Sequence, residues 1–193
     1  MIYLSDHSGA MYVNGLASVG PGYGSMIGML REQLESLTPT DLYVMATSAG
    51  GFVGLRTAID LQADAFTGMS IRSDLSPSSP IMTLPFERYV LKVCKDPEML
   101  VNLRPLVEAS DFPRRIQLYT GDALKIDLDH TENLRGIPRV KITYLDAHYR
   151  HDVVGGLIAR GLFAGVLRHL IGESDEPLPL RGHARPSTPE PQE

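Results

Sequence analysis

Three residue types that together can carry out acyl chemistry follow one another along this chain. Ser48 stands in Ala46-Thr47-Ser48-Ala49-Gly50-Gly51, aspartates follow at Asp74, Asp122, Asp127 and Asp129, and histidines close the series at His148 and His151. A serine hydroxyl is a weak nucleophile until a histidine takes its proton. A carboxylate must in turn hold that histidine in the right tautomer. Ser48 is the candidate nucleophile, His151 the candidate base with His148 its competitor, and Asp127, Asp129 and Asp74 the candidate acids. An aspartate at a helix start also serves as an N-cap, so spacing leaves all three open. The stretch Ser5-Asp6-His7-Ser8-Gly9 holds the same residue types. Neighbours in one loop rarely converge on a single proton path, so it is read as a loop.

These residues need elements to position them. "LYVMA" (42–46) is an unbroken apolar run, as in a strand buried on both faces. After Ser48 the apolar spacing turns helical at Phe52, Leu55 and Ile59. The serine is therefore expected on a sharp strand-to-helix turn, with its oxygen projecting above a sheet and small residues on either side. The pattern G-x-S-x-G is met except at Ala46. Further strands are expected at 2–5, 65–71, 115–121 and 139–145. Helices are expected from Ser25 to Leu37, across much of 81–109, at 127–135, and as one long stripe from Val154 to Leu170. Strands separated by helices predict an α/β fold, a three-layer sandwich around a mainly parallel sheet of about five strands. The candidate residues then all follow strand ends, where such sheets gather their ligands.

The 193 residues suffice for one domain with a real core, expected over 1–172. Residues 173–193, rich in proline and poor in apolar side chains, read as a disordered tail. The charged fraction is 21% and the net charge −5, with no basic stripe for a nucleic-acid partner. One cysteine, Cys94, excludes an intramolecular disulfide and reads as a packing residue. The N-terminal residues lack a signal-peptide apolar region, and no run reaches the ~20 apolar residues of a membrane helix. A cytoplasmic protein without membrane partner is expected. "GPGYGS" (20–25) precedes a helix, but Met26 stands where a phosphate loop needs lysine. The histidines are scattered and no zinc ligand set is recognisable. Neither cofactor nor metal is expected.

The chain resembles a group of bacterial α/β-hydrolase-like proteins on four segments. These are a "D…Y..G" loop at Asp6, Tyr12 and Gly15, an "SAGG" elbow at Ser48 to Gly51, a "D..HA..L" segment at Asp127, His130, Thr131 and Leu134, and a closing helix at His151, Val153, Leu157, Gly161 and Leu162. The likeness runs to about Ile171 and departs at Ala46, at Thr131 where alanine is usual, and at the N-terminus. It implies a shortened α/β-hydrolase fold lacking N-terminal strands. It also implies Ser48 as nucleophile, Asp127 as acid and His151 as base, with the Ala49 N–H as one oxyanion donor and Asp6 and Tyr12 at the pocket mouth.

The second oxyanion donor usually comes from a loop two strands before the elbow, and only one strand candidate, 2–5, precedes it here. Three accounts stand side by side: a start that omits an upstream strand, an amide supplied by the 6–15 loop, or a fold kept for binding after catalysis was lost. The function expected is a serine hydrolase or acyltransferase acting on a small-molecule ester or thioester. The alternative is a non-catalytic binding module of a polysaccharide or secondary-metabolite pathway. Residues 72–113 occupy the lid position of such folds, and their apolar content suits an acyl pocket or a core equally.

Overall fold

The computed structural model describes residues 1–146, 148 and 150–179. Four strands form one parallel sheet in the spatial order of the chain: β1 (Tyr43–Thr47), β2 (Ala65–Met69), β3 (Arg115–Gly121) and β4 (Val140–Leu145). Register runs unbroken, Tyr43 opposite Ala65, Ala65 opposite Arg115 and Ile116 opposite Val140. β2 is buried at every residue, as expected of a parallel strand covered on both faces. β1 is different: it forms one edge of the sheet, and Met45 is 43% exposed. The apolar run at 42–46 therefore reflects packing on one face rather than burial on two.

Residues 2–5 form no strand, and among the described residues the sheet has four strands where about five were expected. Ile2 and Tyr3 are exposed and only Leu4 packs on the core. A short apolar run needs a neighbouring strand to complete its hydrogen bonds, and nothing in the run itself specifies one.

Helices cover both faces. On one side lie α1 (Gly22–Leu37), α2 (Gly50–Asp60), α3 (Pro85–Val93) and α4 (Leu103–Ala109), with a 3-10 turn at Pro97–Met99. Tyr23, Phe52, Leu55, Val90, Leu103 and Val107 belong to one core with Phe66, Ile116 and Leu118 of the sheet. Much of 72–113 is thus core, although Phe86 and Tyr89 on α3 are exposed. Cys94 is half-buried against the same core, and burial pushes its thiol pKa up. The other face carries α6 (Val153–Ala159) and α7 (Phe163–Ile171), whose Val153, Leu157 and Val166 pack with Met69, Tyr119 and Leu145. α5 (Lys125–Glu132) connects β3 to β4.

The last helix is broken where one continuous stripe was expected. α6 and α7 meet at 110°. Gly161 adopts φ +68, its N–H bonds to the Ile158 carbonyl, and Leu162 N–H bonds to that of Leu157. This paired closure is the Schellman stop, which a glycine accepts without strain. No single helix among the described residues is long and apolar enough to cross a membrane.

Residues 173–179, expected within the tail, include one that packs on the domain. Leu178 is buried in the α6–α7 core, and His169 Nε2 donates to the Glu176 carbonyl at 2.6 Å. Residues 180–193 lie outside the described residues.

α2 sits close on the sheet because its inner residues are small. A Cβ on Gly54 would come within 2.5 Å of the Ala46 Cβ. The departure at Ala46 is thus accommodated by a glycine on the helix above it. A Cβ on Gly51 would fall 2.3 Å from Ile71 Cγ2 and 2.9 Å from its Cα. Gly51→Val is expected to cost about 1–3 kcal/mol by overpacking. Chemical denaturation would read it as a lower midpoint at unchanged slope.

Candidate active site

Ser48 occupies the turn between β1 and α2 with φ +50, a left-handed conformation that costs a non-glycine residue about 1–2 kcal/mol. The surroundings hold it there. Its N–H donates to the Met69 carbonyl at 2.9 Å, and its own carbonyl accepts from Gly51 N–H at 3.0 Å. Ala49 is the cap residue of α2, where the first amides have no partner inside the helix. Its N–H is therefore placed beside the serine with no helical role of its own.

His151 reaches Ser48 from the loop between β4 and α6, 103 residues away in sequence. Its Nε2 lies 2.5 Å from Ser48 Oγ. Its Nδ1 lies 2.8 and 2.9 Å from the two carboxylate oxygens of Asp127, in the first turn of α5. A carboxylate only accepts, so Nδ1 carries the hydrogen and Nε2 is left as the acceptor for the serine O–H. Asp127 is fully buried while the His151 side chain is 38% exposed. The chain of groups thus opens to solvent at the end where a substrate would arrive.

Burial alone would raise the Asp127 pKa, yet the carboxyl is held below its usual value. Hydrogen bonds from His151 and Arg72, and the charge behind them, outweigh the burial. Arg72 follows β2, is 3% exposed, and donates from Nη1 to Asp127 Oδ1 at 3.0 Å. Its Nε lies 2.9 Å from Glu87 Oε1 of α3, a charge contact without an aligned hydrogen bond. Phe86 presents its ring face to the guanidinium at 5.5 Å. Glu87, fully buried, is likewise held below its usual pKa. Hydrogen bonds from His130 and the Leu84 amide, with the Arg72 charge, overcome the opposing burial.

The other candidates lie elsewhere. Asp129 pairs with Lys125 one turn back on α5 at 2.5 Å. Asp74 accepts from Ser76 and Asn102. Asp122 accepts from the His148 amide at 3.3 Å. His148 donates from Nε2 to the Asp152 carbonyl at 3.0 Å, its ring filling the space above Gly121 and Gly156. Asp6 spends its carboxylate on its own loop, accepting from the Ser8 amide, the Ser8 hydroxyl and the Tyr12 amide. These bonds hold its pKa down against partial burial. Tyr12 is brought over the start of α2, its ring 3.4 Å from where a Gly50 Cβ would stand. Asp6 thus bears on the site through the Tyr12 it anchors.

Arg72 and Glu87 are what the sequence reading missed around Asp127, and His130, named there only within the "D..HA..L" segment, was given no role. The one available signal was an arginine directly after a strand, at the level where the site residues gather. No group of three or more His, Cys, Asp or Glu side chains among the described residues could hold a metal ion.

A parallel sheet between helical layers, with a serine on the strand-to-helix turn, defines an α/β-hydrolase-like fold, here in a shortened form. Among solved structures, the capsule O-acetyltransferase of Neisseria meningitidis serogroup A is similar with a TM-score of 0.53 at 15% identity. The match covers 74% of this chain and 63% of that one, so this chain spans less than two thirds of the acetyltransferase. A structure reported among carboxylesterases of the thaumarchaeon Nitrososphaera gargenis matches with a TM-score of 0.51 at 12% identity, over 78% of this chain and 73% of that one. A hydrolase from Pseudomonas aeruginosa PA01 matches at 0.51 and 15%, over 77% and 71%. No protein-family model matches the chain, and no curated protein matches its sequence.

Proposed function

We propose that the protein is a serine hydrolase or acyltransferase that acts on an ester or thioester through an acyl-enzyme. The observation that carries this reading is the 2.5 Å contact of Ser48 Oγ with His151 Nε2, with Nδ1 of the same ring on Asp127. The left-handed φ of Ser48 supports it, since strain of this kind persists where the surroundings over-determine it.

In this mechanism Ser48 Oγ attacks the acyl carbonyl carbon while its proton passes to His151 Nε2. Asp127 holds the imidazolium that results. Negative charge develops on the former carbonyl oxygen, and the Ala49 N–H is placed to receive it. As the tetrahedral adduct collapses, the bond to the leaving oxygen or sulfur breaks, and His151 returns the proton to it. Water, or an acceptor hydroxyl, then gives its proton to His151 and attacks the acyl-serine; as the bond to Ser48 Oγ breaks, His151 returns that proton to Oγ and Ser48 is released. The two products differ only in that second nucleophile. The similar folds include both a named O-acetyltransferase and named esterases or hydrolases, which keeps both outcomes within the proposal. The Tyr12 ring over the start of α2 would form one wall of the approach.

A non-catalytic binding module has no need for a serine in hydrogen-bond contact with a histidine, so this geometry favours the enzyme. Labelling with a fluorophosphonate separates the two. The wild-type protein is expected to take up the probe and Ser48→Ala to take up none. A wild-type protein that stays unlabelled would overturn the catalytic reading.

A further inference from the structure

A triad carboxylate stabilises the imidazolium by being negative. Here that carboxylate is also bound to a buried arginine, which alone would cancel its charge. The surrounding residues resolve the conflict. Glu87, from α3, approaches the same guanidinium at 2.9 Å and is fully buried. His130 adds no charge: the Ser73 N–H donates to its Nδ1 at 3.2 Å, so Nδ1 carries no hydrogen. The hydrogen is on Nε2, which faces Glu87 Oε1 at 3.4 Å. His130 is therefore the neutral tautomer, donating to the glutamate.

The sum behind His151 is then Asp127 and Glu87, each −1, against Arg72, +1. The site rests at −1 and becomes neutral when His151 takes the serine proton. Without Glu87 it would rest neutral, and the proton would create a net positive charge in a largely buried place. The charges on neighbouring elements are the same in every variant compared below, the uncancelled carboxylate of Asp152 included. Lys125 and Asp129 pair with each other on α5, and the Asp152 carboxylate accepts from the Gly155 amide at the start of α6.

We propose that Glu87 is a positioning residue for the reaction, held by Arg72 and neutral His130 so that the group of charges behind His151 keeps a net charge of −1. Arg72 ties Asp127 in place from behind, and Glu87 offsets the charge this brings. The proposal deepens the Ser48–His151–Asp127 mechanism and rests on it for its purpose. It links α3 to the base carried by the loop between β4 and α6.

The test is a histidine side-chain NMR titration of the full chain, which needs no substrate. In the wild type at pH 7, His130 is expected as the neutral tautomer with its hydrogen on Nε2; a doubly protonated His130 would overturn the charge count. In Glu87→Gln the His151 midpoint is expected to fall by about one pH unit, the low end for loss of a nearby charge. An unshifted midpoint would sink the proposal. In the double variant Arg72→Gln/Glu87→Gln the net charge returns to −1, and the midpoint is expected back near the wild-type position. A midpoint there that stays a full unit low also counts against the idea, and this comparison carries the test should Glu87→Gln alone fail to fold. Fluorophosphonate labelling of the same samples keeps the two proposals apart. Shifted midpoints without labelling would leave the charge arrangement standing and remove the catalytic reading; labelling with unmoved midpoints would do the reverse.

Discussion

Ser48→Ala is expected to lower turnover of a responsive acyl ester by about 10⁴–10⁶-fold, the range for loss of a nucleophile that works as a unit with its base. The fold should survive, since the Ser48 backbone bonds to Met69 and Gly51 do not involve the side chain. Ser48→Gly tests the same position differently. At φ +50 a glycine removes the left-handed penalty, so this variant should be as inactive yet more stable by about 1 kcal/mol. For a domain of this size that is a rise of about 2–4 °C in melting temperature. Calorimetry beside an ester assay would read both effects. A Ser48→Gly protein less stable than Ser48→Ala would show that the turn is not strained.

The second large effect is on stability. Arg72→Met removes the cation that Asp127 and Glu87 share, and leaves two fully buried carboxylates without it. Breaking such a group from one side typically costs about 3–5 kcal/mol. The pH dependence gives the assignment a sign. In the wild type both carboxyls have pKa values below their unfolded values. The stability they contribute is therefore present above the unfolded carboxylate pKa, about 4, and is lost as pH falls through the lower folded values. In Arg72→Met the stranded carboxylates gain from being protonated. The gap between wild type and variant should be widest near pH 7 and narrow in acid. Denaturant titrations of both proteins at pH 7 and pH 3 measure it. A constant gap would mean that Arg72 acts by packing and not by charge.

The two variants bear on different levels of the molecule, and so does what was legible before folding. Short runs of strand formers between helical segments read as strands, and β3 spans the expected 115–121 residue for residue. The same logic misjudged residues 2–5, because a short apolar run looks alike with or without a neighbour to bond. It misread β1 as buried on two faces for a related reason: strand order, which places β1 at the sheet edge, is not written in the strand. The apolar stripe from Val154 to Leu170 continues across Gly161, so periodicity hid a stop that backbone conformation makes plain.

By itself the sequence determined the alternation of strands and helices, the turn at Ser48, and the order of serine, aspartate and histidine. All of these are local or ordered along the chain. Only the tertiary structure decided which aspartate and which histidine meet the serine. Asp127 and Asp129 are two residues apart, and the helical turn alone sends one inward to His151 and the other outward to Lys125. It also decided that Arg72, Glu87 and His130 converge behind Asp127, from β2, α3 and α5. Arg72 and Glu87 carry no motif, and the segment that holds His130 does not say what it faces. Their meeting depends on three elements packing together, and the charges of Arg72 and Glu87 persist in the core because each finds a partner there.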